Sequence, residues 1–212
     1  MINELIKRYP RLETQKENIL RAINLIEETY QSGGKILLCG NGGSCADSEH
    51  IVGELMKGFR NKRKLYDAEI EKFKYVTDDY VDFGSKLQKA IPAISLSSQT
   101  AIISAFANDV SADMVYAQMV YGYGLDKDLI IALSTSGNSL NVVNAVKVAK
   151  MLGMKSISMT GSDRSQLYNM CDCTICAPET ETYKIQEYHL PIYHCICATV
   201  ENDIFGGKEK WE

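Results

Sequence analysis

Apolar residues fall along this chain in two kinds of run, and their alternation predicts a layered α/β fold. Residues 12–32 carry Ile19, Leu20, Ile23, Ile26 and Tyr30 at three- and four-residue intervals, the spacing of one helix face. Gly33-Gly34 supplies the stop. A short apolar run at 35–39 reads as a strand, and 44–59 returns to helical spacing with Ile51, Val52, Leu55 and Met56 on its apolar side. The same alternation predicts a strand over 93–96, helices over 101–107 and 113–123, and a strand over 129–133. Helix 140–152 turns Val142, Val143, Val146 and Ala149 inward, and strand 155–159 ends at Thr160-Gly161. A last strand is expected over 173–177 and a long terminal helix over 182–205, with Pro191 as a kink inside it.

The predicted strands are continuous apolar runs, the pattern of a parallel sheet buried on both faces. The expectation is a doubly wound, three-layer αβα fold in one domain over 1–212, with added N-terminal (1–33) and C-terminal helices. In such sheets ligands bind beyond the carboxyl ends of the strands. A charged and aromatic stretch at about 61–91 interrupts the pattern, with weak helical spacing at Ile70, Phe73, Val76 and Tyr80. It reads as an insertion, and the sequence leaves open whether it is a flap near the site or a peripheral packing element.

Composition narrows the function. The chain has 212 residues, 45% hydrophobic and 24% charged, with a formal net charge of −4, which argues against nucleic acid as partner. The basic run at 57–64 (KGFRNKRK) is expected as a solvated loop, because an acidic segment follows at 67–71. No apolar stretch approaches the roughly 20 residues a bilayer span needs, and the first residues lack the apolar core of a signal peptide. A cytoplasmic protein with no membrane partner is expected. Seven cysteines, several inside apolar runs, fit reduced thiols better than disulfides. Cys171, Cys173 and Cys176 have metal-ligand spacing, but a strand with Cys171, Cys173 and Ile175 on one face is the better reading.

Two strings carry the candidate chemistry. CGNGGSCADSEH (39–50) and STSGNS (134–139) each follow a strand and open a helix. Glycines let the backbone approach an anion, hydroxyls donate to it, and free N–H groups at a helix start face its charge. Neither string has dinucleotide or Walker spacing, so a small phosphorylated molecule is the expected ligand. His50 and Glu54, four apart, project from one helix face. They could supply two metal ligands, an acid/base pair, or only a surface pair. On the terminal helix Gln186 and His194 lie two turns apart, with His189 between them.

With KIQEYHLPIYH (184–194), these motifs resemble the sugar-isomerase (SIS) domain, in particular the bacterial phosphoheptose isomerases. The similarity runs over nearly the whole chain apart from the insertion. The resemblance implies conversion of D-sedoheptulose 7-phosphate to D-glycero-D-manno-heptose 7-phosphate. It implies that Asn41, Gly42, Gly43, Ser44, Asn108, Asp109, Ser134, Thr135, Ser136, Ser139 and Gln186 meet the sugar phosphate. Glu54 matches the catalytic base and His194 the second acid/base. His50, Glu54, Gln186 and His194 match a zinc site, and His189 has no such role. A homotetramer with active sites at subunit interfaces is also implied. Departures from the family pattern are Lys184 for Arg, Tyr183 for an Asp of at least one relative, and Gln99 for a frequent Asp.

In the implied reaction Glu54 takes the proton beside the carbonyl, and His194 moves a proton on the oxygens of an enediol. A carboxylate bound to zinc is a weaker base, so whether Glu54 is base, ligand or both stays open. Two other readings remain. One is a non-catalytic SIS module that senses a sugar phosphate or serves as a scaffold, against which the Glu54–His194 pair speaks. The other is an isomerase of a different sugar phosphate.

Overall fold

A computed structural model describes residues 1–161 and 164–206. In chain order the elements are α1 (Ile2–Arg8), α2 (Lys16–Gln31), β1 (Ile36–Gly40), α3 (Gly43–Met56), α4 (Asp67–Ile70), α5 (Tyr80–Ser85) and β2 (Ala93–Ser95). There follow α6 (Thr100–Asp109), α7 (Val115–Tyr123), β3 (Leu129–Leu133), α8 (Leu140–Met151), β4 (Lys155–Thr160), α9 (Gln166–Met170), β5 (Cys173–Cys176) and α10 (Thr182–Phe205). The five strands form one parallel sheet in the order β2-β1-β3-β4-β5. No helix among the described residues is long and apolar enough to cross a membrane.

Successive strand residues alternate between two cores. Ile36, Leu38, Leu129, Ile131 and Leu133 face α1, α2, α3 and α10, whereas Leu37, Cys39, Ile130 and Ala132 face α6 to α9. Each of the buried Leu and Ile side chains among them contributes about 1.5–3 kcal/mol. The α/β expectation therefore holds in its three layers and its parallel sheet. From β1 the chain crosses to β2 on one side and continues through β3 on the other, so the strand order reverses between β1 and β3. Gly40 pairs in register with Leu133, which sets the two Ser- and Gly-rich loops side by side at the carboxyl edge.

Several expectations need correction. The helix expected over 12–32 begins as a 3-10 turn, Pro10–Gln15, with Leu12 fully buried. Helix α1 falls within the expected N-terminal helical segment, whereas α9, five residues long, is too short to show a hydrophobic period and was not expected. Residues 61–91 hold α4, a 3-10 turn (Glu71–Tyr75) and α5, where Phe73 packs on Phe83 with ring centroids 5.3 Å apart. Tyr75 and Val76 stay exposed. Cys173 and Ile175 share the first core, but Cys171 lies before the strand and packs on the opposite core.

The basic run is not wholly solvated. Arg63, at φ +43°, and Glu201 of α10 are both fully buried, with Nε 2.6 Å from Oε1. The Glu201 carboxylate also accepts backbone N–H bonds from Phe59 (2.8 Å), Arg60 (2.7 Å) and Asn61 (3.1 Å). Arg63 in turn donates to the carbonyls of Leu55 (2.6 Å) and Glu54 (3.0 Å), two acceptors at the end of α3 with no intrahelical partner. Breaking such a pair strands a buried charge. Arg63→Met is expected to cost about 3–5 kcal/mol in urea unfolding. A loss below about 1 kcal/mol would show that the backbone N–H groups alone sustain the carboxylate.

His189 is buried on α10, with Nε2 3.4 Å from the Thr160 carbonyl and Nδ1 unpartnered. Burial pushes its imidazole down to about 4. The unfolded chain takes up this proton near the ordinary histidine value, the folded chain only near 4. The stability it contributes is therefore intact above about pH 6.5 and is lost as the pH falls toward 4. The wild type should lose about 2–3 kcal/mol more than His189→Gln between pH 7 and 4.5, by urea titration. Parallel pH profiles for the two proteins would exclude this ring as the source.

Candidate active site

The first loop is shaped by its backbone. Gly42, the residue before α3, sits at φ +56° and ψ −121°, a conformation that side chains disfavour. The turn aims the amide-rich start of α3 at the edge of the sheet, with Ser44 buried in its first turn. Asn41 reaches across the strand reversal to Asn141 of α8. Each amide nitrogen donates to the other's oxygen, both at 2.9 Å. The Tyr116 hydroxyl, on α7, donates to the Gly40 carbonyl at 2.8 Å and lies 3.2 Å from Asn41 Oδ1.

The second loop gathers hydroxyls where α8 begins. Ser134 donates to Ser139 at 3.0 Å, and Ser134 and Ser136 stand 3.5 Å apart. The Thr135 carbonyl accepts from the Gly161 amide at 3.0 Å, tying the loop to the end of β4. Three hydroxyls at the start of a twelve-residue helix make a concentrated set of donors for an anion.

Helices α3 and α10 carry the ionisable groups. His50 Nε2 lies 3.2 Å from Glu54 Oε1 and 3.4 Å from His194 Nε2. Glu54 is mostly buried; its Oε2 makes no hydrogen bond and has the Lys57 ammonium 3.7 Å away. The exposed side of His50 leaves the cluster open, and a cleft of about 340 Å³ beside His194 runs between α1, Phe59 and Leu190. Burial and then the neighbouring His50 hold the His194 imidazole below the usual histidine range, against the pull of Glu54. Behind His50, Tyr193 places its hydroxyl 2.9 Å from Nδ1 and 3.2 Å from Asp47 Oδ1. Burial raises both Tyr193 and Asp47 above their ordinary ranges.

The donor set fits zinc. Two imidazoles and a carboxylate are its usual nitrogen and oxygen ligands, and their three atoms lie within 4.8 Å of one another. Two ligands held about 2.0–2.1 Å from one tetrahedral ion stand about 3.3 Å apart. The separations of 3.2 and 3.4 Å match that spacing.

Gln186 does not join this group within the chain. Its amide lies over Gly43, where an added Cβ would come within 2.6 Å of Nε2. Eight residues of helix are about 12 Å of rise, so sharing a face with His194 does not bring Gln186 to it. Of the four expected ligands, His50, Glu54 and His194 converge within the chain, and Gln186 lies apart over Gly43. Asn108 and Asp109 bond to each other (2.8 Å) at the exposed end of α6, and to none of the other candidate residues. Asn141, Tyr116, Asp47 and Tyr193 were not singled out from sequence. The signals available were an Asn two residues after the second loop, and an Asp and a Tyr beside the two site histidines.

Known proteins match this chain over most of its length. SIS domain families match residues 2–78 and 93–199. A phosphoheptose isomerase of Aliarcobacter butzleri is 35% identical over 91% of this chain and 89% of its own. One of Helicobacter pylori (strain P12) is 35% identical over 90% and 86%. The solved structure of a phosphoheptose isomerase from Neisseria gonorrhoeae superposes with a TM-score of 0.74 at 29% identity, covering 94% of each chain. A Francisella tularensis structure of the same description gives 0.73 at 26%.

The Asn41–Asn141 bridge makes a local prediction. Asn141→Ala removes two hydrogen bonds between the loops while leaving the buried core intact. Exchange of the Ser44 and Cys45 amides, each bonded at 3.0 Å to the carbonyls of Asn41 and Gly42, should speed up about tenfold. The global unfolding midpoint should stay within its error. Unchanged exchange at these two amides would show that the loop holds itself.

Proposed function

The chain belongs to the SIS-domain family of phosphoheptose isomerases, and from that premise we propose that it interconverts D-sedoheptulose 7-phosphate and D-glycero-D-manno-heptose 7-phosphate. It is at the coarser level a phosphosugar isomerase. The observation that carries the finer reading is the convergence of His50 Nε2, Glu54 Oε1 and His194 Nε2 on a fold whose neighbouring loops are built for phosphate.

The phosphate is held by Ser134, Thr135, Ser136 and Ser139 with the amide groups of the α8 start. Asn41, Gly42, Gly43, Ser44 and Gln186, together with Asn108 and Asp109, meet the sugar. This remote binding energy positions the open-chain carbonyl end for reaction. Glu54 takes the C1 proton of the ketose as the C1–C2 enediol forms, and returns it to C2 to give the aldose. His194, held neutral by burial, moves the hydroxyl proton between O1 and O2. His50, Glu54 and His194 would hold zinc, which when bound polarises the carbonyl and stabilises negative charge on the oxygens. Because Oε1 faces the imidazoles while Oε2 makes no hydrogen bond, the carboxylate has one oxygen for each role. The reading extends to a cytoplasmic homotetramer with active sites at subunit interfaces.

Glu54→Gln tests the core of this proposal. Turnover should fall by two to four orders of magnitude, the usual worth of a placed acid/base group, with little change in KM. The variant should also lose exchange of the carbon-bound proton with solvent deuterium. Recovery of activity in excess zinc would instead make Glu54 a ligand only. Near-normal turnover and exchange without added metal would remove the base from the mechanism. Hexulose and pentulose phosphates assayed beside the heptulose phosphate define the sugar.

A further inference from the structure

The hydrogen bonds behind His50 run in one direction. Tyr193 is almost wholly buried, and its hydroxyl touches both Asp47 Oδ1 (3.2 Å) and His50 Nδ1 (2.9 Å). A hydroxyl has a single proton to donate. The Asp47 carboxylate only accepts, so that proton goes to Asp47, and the Tyr193 oxygen has only lone pairs left for His50. Nδ1 of His50 must then carry the ring proton. In a neutral imidazole this leaves Nε2 as a bare lone pair, facing Glu54 Oε1 and His194 Nε2.

We propose that Asp47 and Tyr193 are positioning residues that lock His50 in its Nδ1–H tautomer and so aim the Nε2 lone pair into the cluster. The proposal rests on the reading of His50 as a ligand in that cluster. A free histidine side chain favours the opposite form, with the proton on Nε2, where it would block a metal ion and bond to Glu54 instead. The relay removes this competition before any ion arrives. It also restrains the ring, whose side chain is otherwise 43% exposed and held on one edge only. An orienting partner behind a metal-binding imidazole is commonly worth 10–100-fold in metal affinity.

Neither readout of the test involves sugar. Long-range proton–nitrogen NMR on the full-length, metal-stripped protein reports the tautomer of each ring. With three histidines in the chain, His50→Gln assigns the signal of interest. The wild type should show His50 protonated on Nδ1. Tyr193→Phe keeps the ring packed against His50 and His194 and removes only the hydroxyl, and it should shift His50 toward the Nε2–H form. Asp47→Ala frees the Tyr193 proton to donate to Nδ1, and it should do the same. Zinc affinity, measured by competition with a chromophoric chelator, should fall about 10–100-fold in both variants at an unchanged unfolding midpoint. An Nε2–H signal for His50 in the wild type overturns the proposal, as does undiminished zinc affinity in both folded variants. If the tautomer and affinity results hold while no heptose phosphate is turned over, the relay stands and the proposed substrate falls.

Discussion

The arrangement of this site depends on how α3 lies against α10. The two helices run side by side in the same direction and are joined at three levels. Gly43 at the start of α3 is covered by the Gln186 amide, and His50 two turns along meets Tyr193 and His194. At the far end Glu54 and Leu55 give their carbonyls to Arg63, whose guanidinium is bonded to Glu201. The first interval is seven residues on α3 and seven or eight on α10; the second is four or five on α3 against seven or eight on α10, and Arg63 spans the difference. The lowest level is the most restrictive. Apolar contacts tolerate sliding by a fraction of a turn, but a fully buried ion pair does not. Any shift that breaks its bonds leaves charge in a region without water.

The other half of the site comes from topology. Strand order reverses between β1 and β3, and the paired ends of those strands release both loops at one edge. The reciprocal Asn41–Asn141 amide pair bridges them across the gap where helices depart to opposite faces. The proposed phosphate site therefore draws on the ends of two strands, and the proposed proton transfer on the lateral contact of two helices. Helix α3 is common to both: its first turn belongs to the loop and its second and third turns carry His50 and Glu54.

The strands and long helices were legible because their patterns are local. A continuous apolar run of five residues has few other homes in a chain of this composition, and β3 and α10 fall at the limits that periodicity predicts. The candidate loops were legible because phosphate binding needs backbone conformations that leave glycine and hydroxyl residues in the sequence. What was hidden depends on distance through space. Arg63 sits in a basic run and reads as solvated until Glu201, 138 positions later, is placed beside it. Gln186 and His194 share a helical phase, but phase does not encode the rise that separates them. Cys171 and Cys173 have strand spacing, but the strand begins only at Cys173, so the alternation does not extend to Cys171. A short element such as α9, five residues long, contains too few residues to repeat the helical period.

The charge balance of the cluster connects these levels to chemistry. If His50 and His194 both carry their protons on Nδ1, three lone-pair donors face one another, His50 Nε2 lying 3.2 and 3.4 Å from the other two, and one of them belongs to a carboxylate. Acceptors that close repel unless something positive lies between them, and two species can supply that charge. One is a metal ion. The other is a proton, shared between His50 and Glu54 or carried by His194. Burial and the adjacent His50 oppose protonation of His194. The same depression favours the neutral imidazole of His194 near pH 7, the form that the proposed transfer between sugar oxygens needs. A site that repels a proton at rest but requires one in transit suits an isomerase, whose reaction moves protons within the substrate and leaves the enzyme as it began.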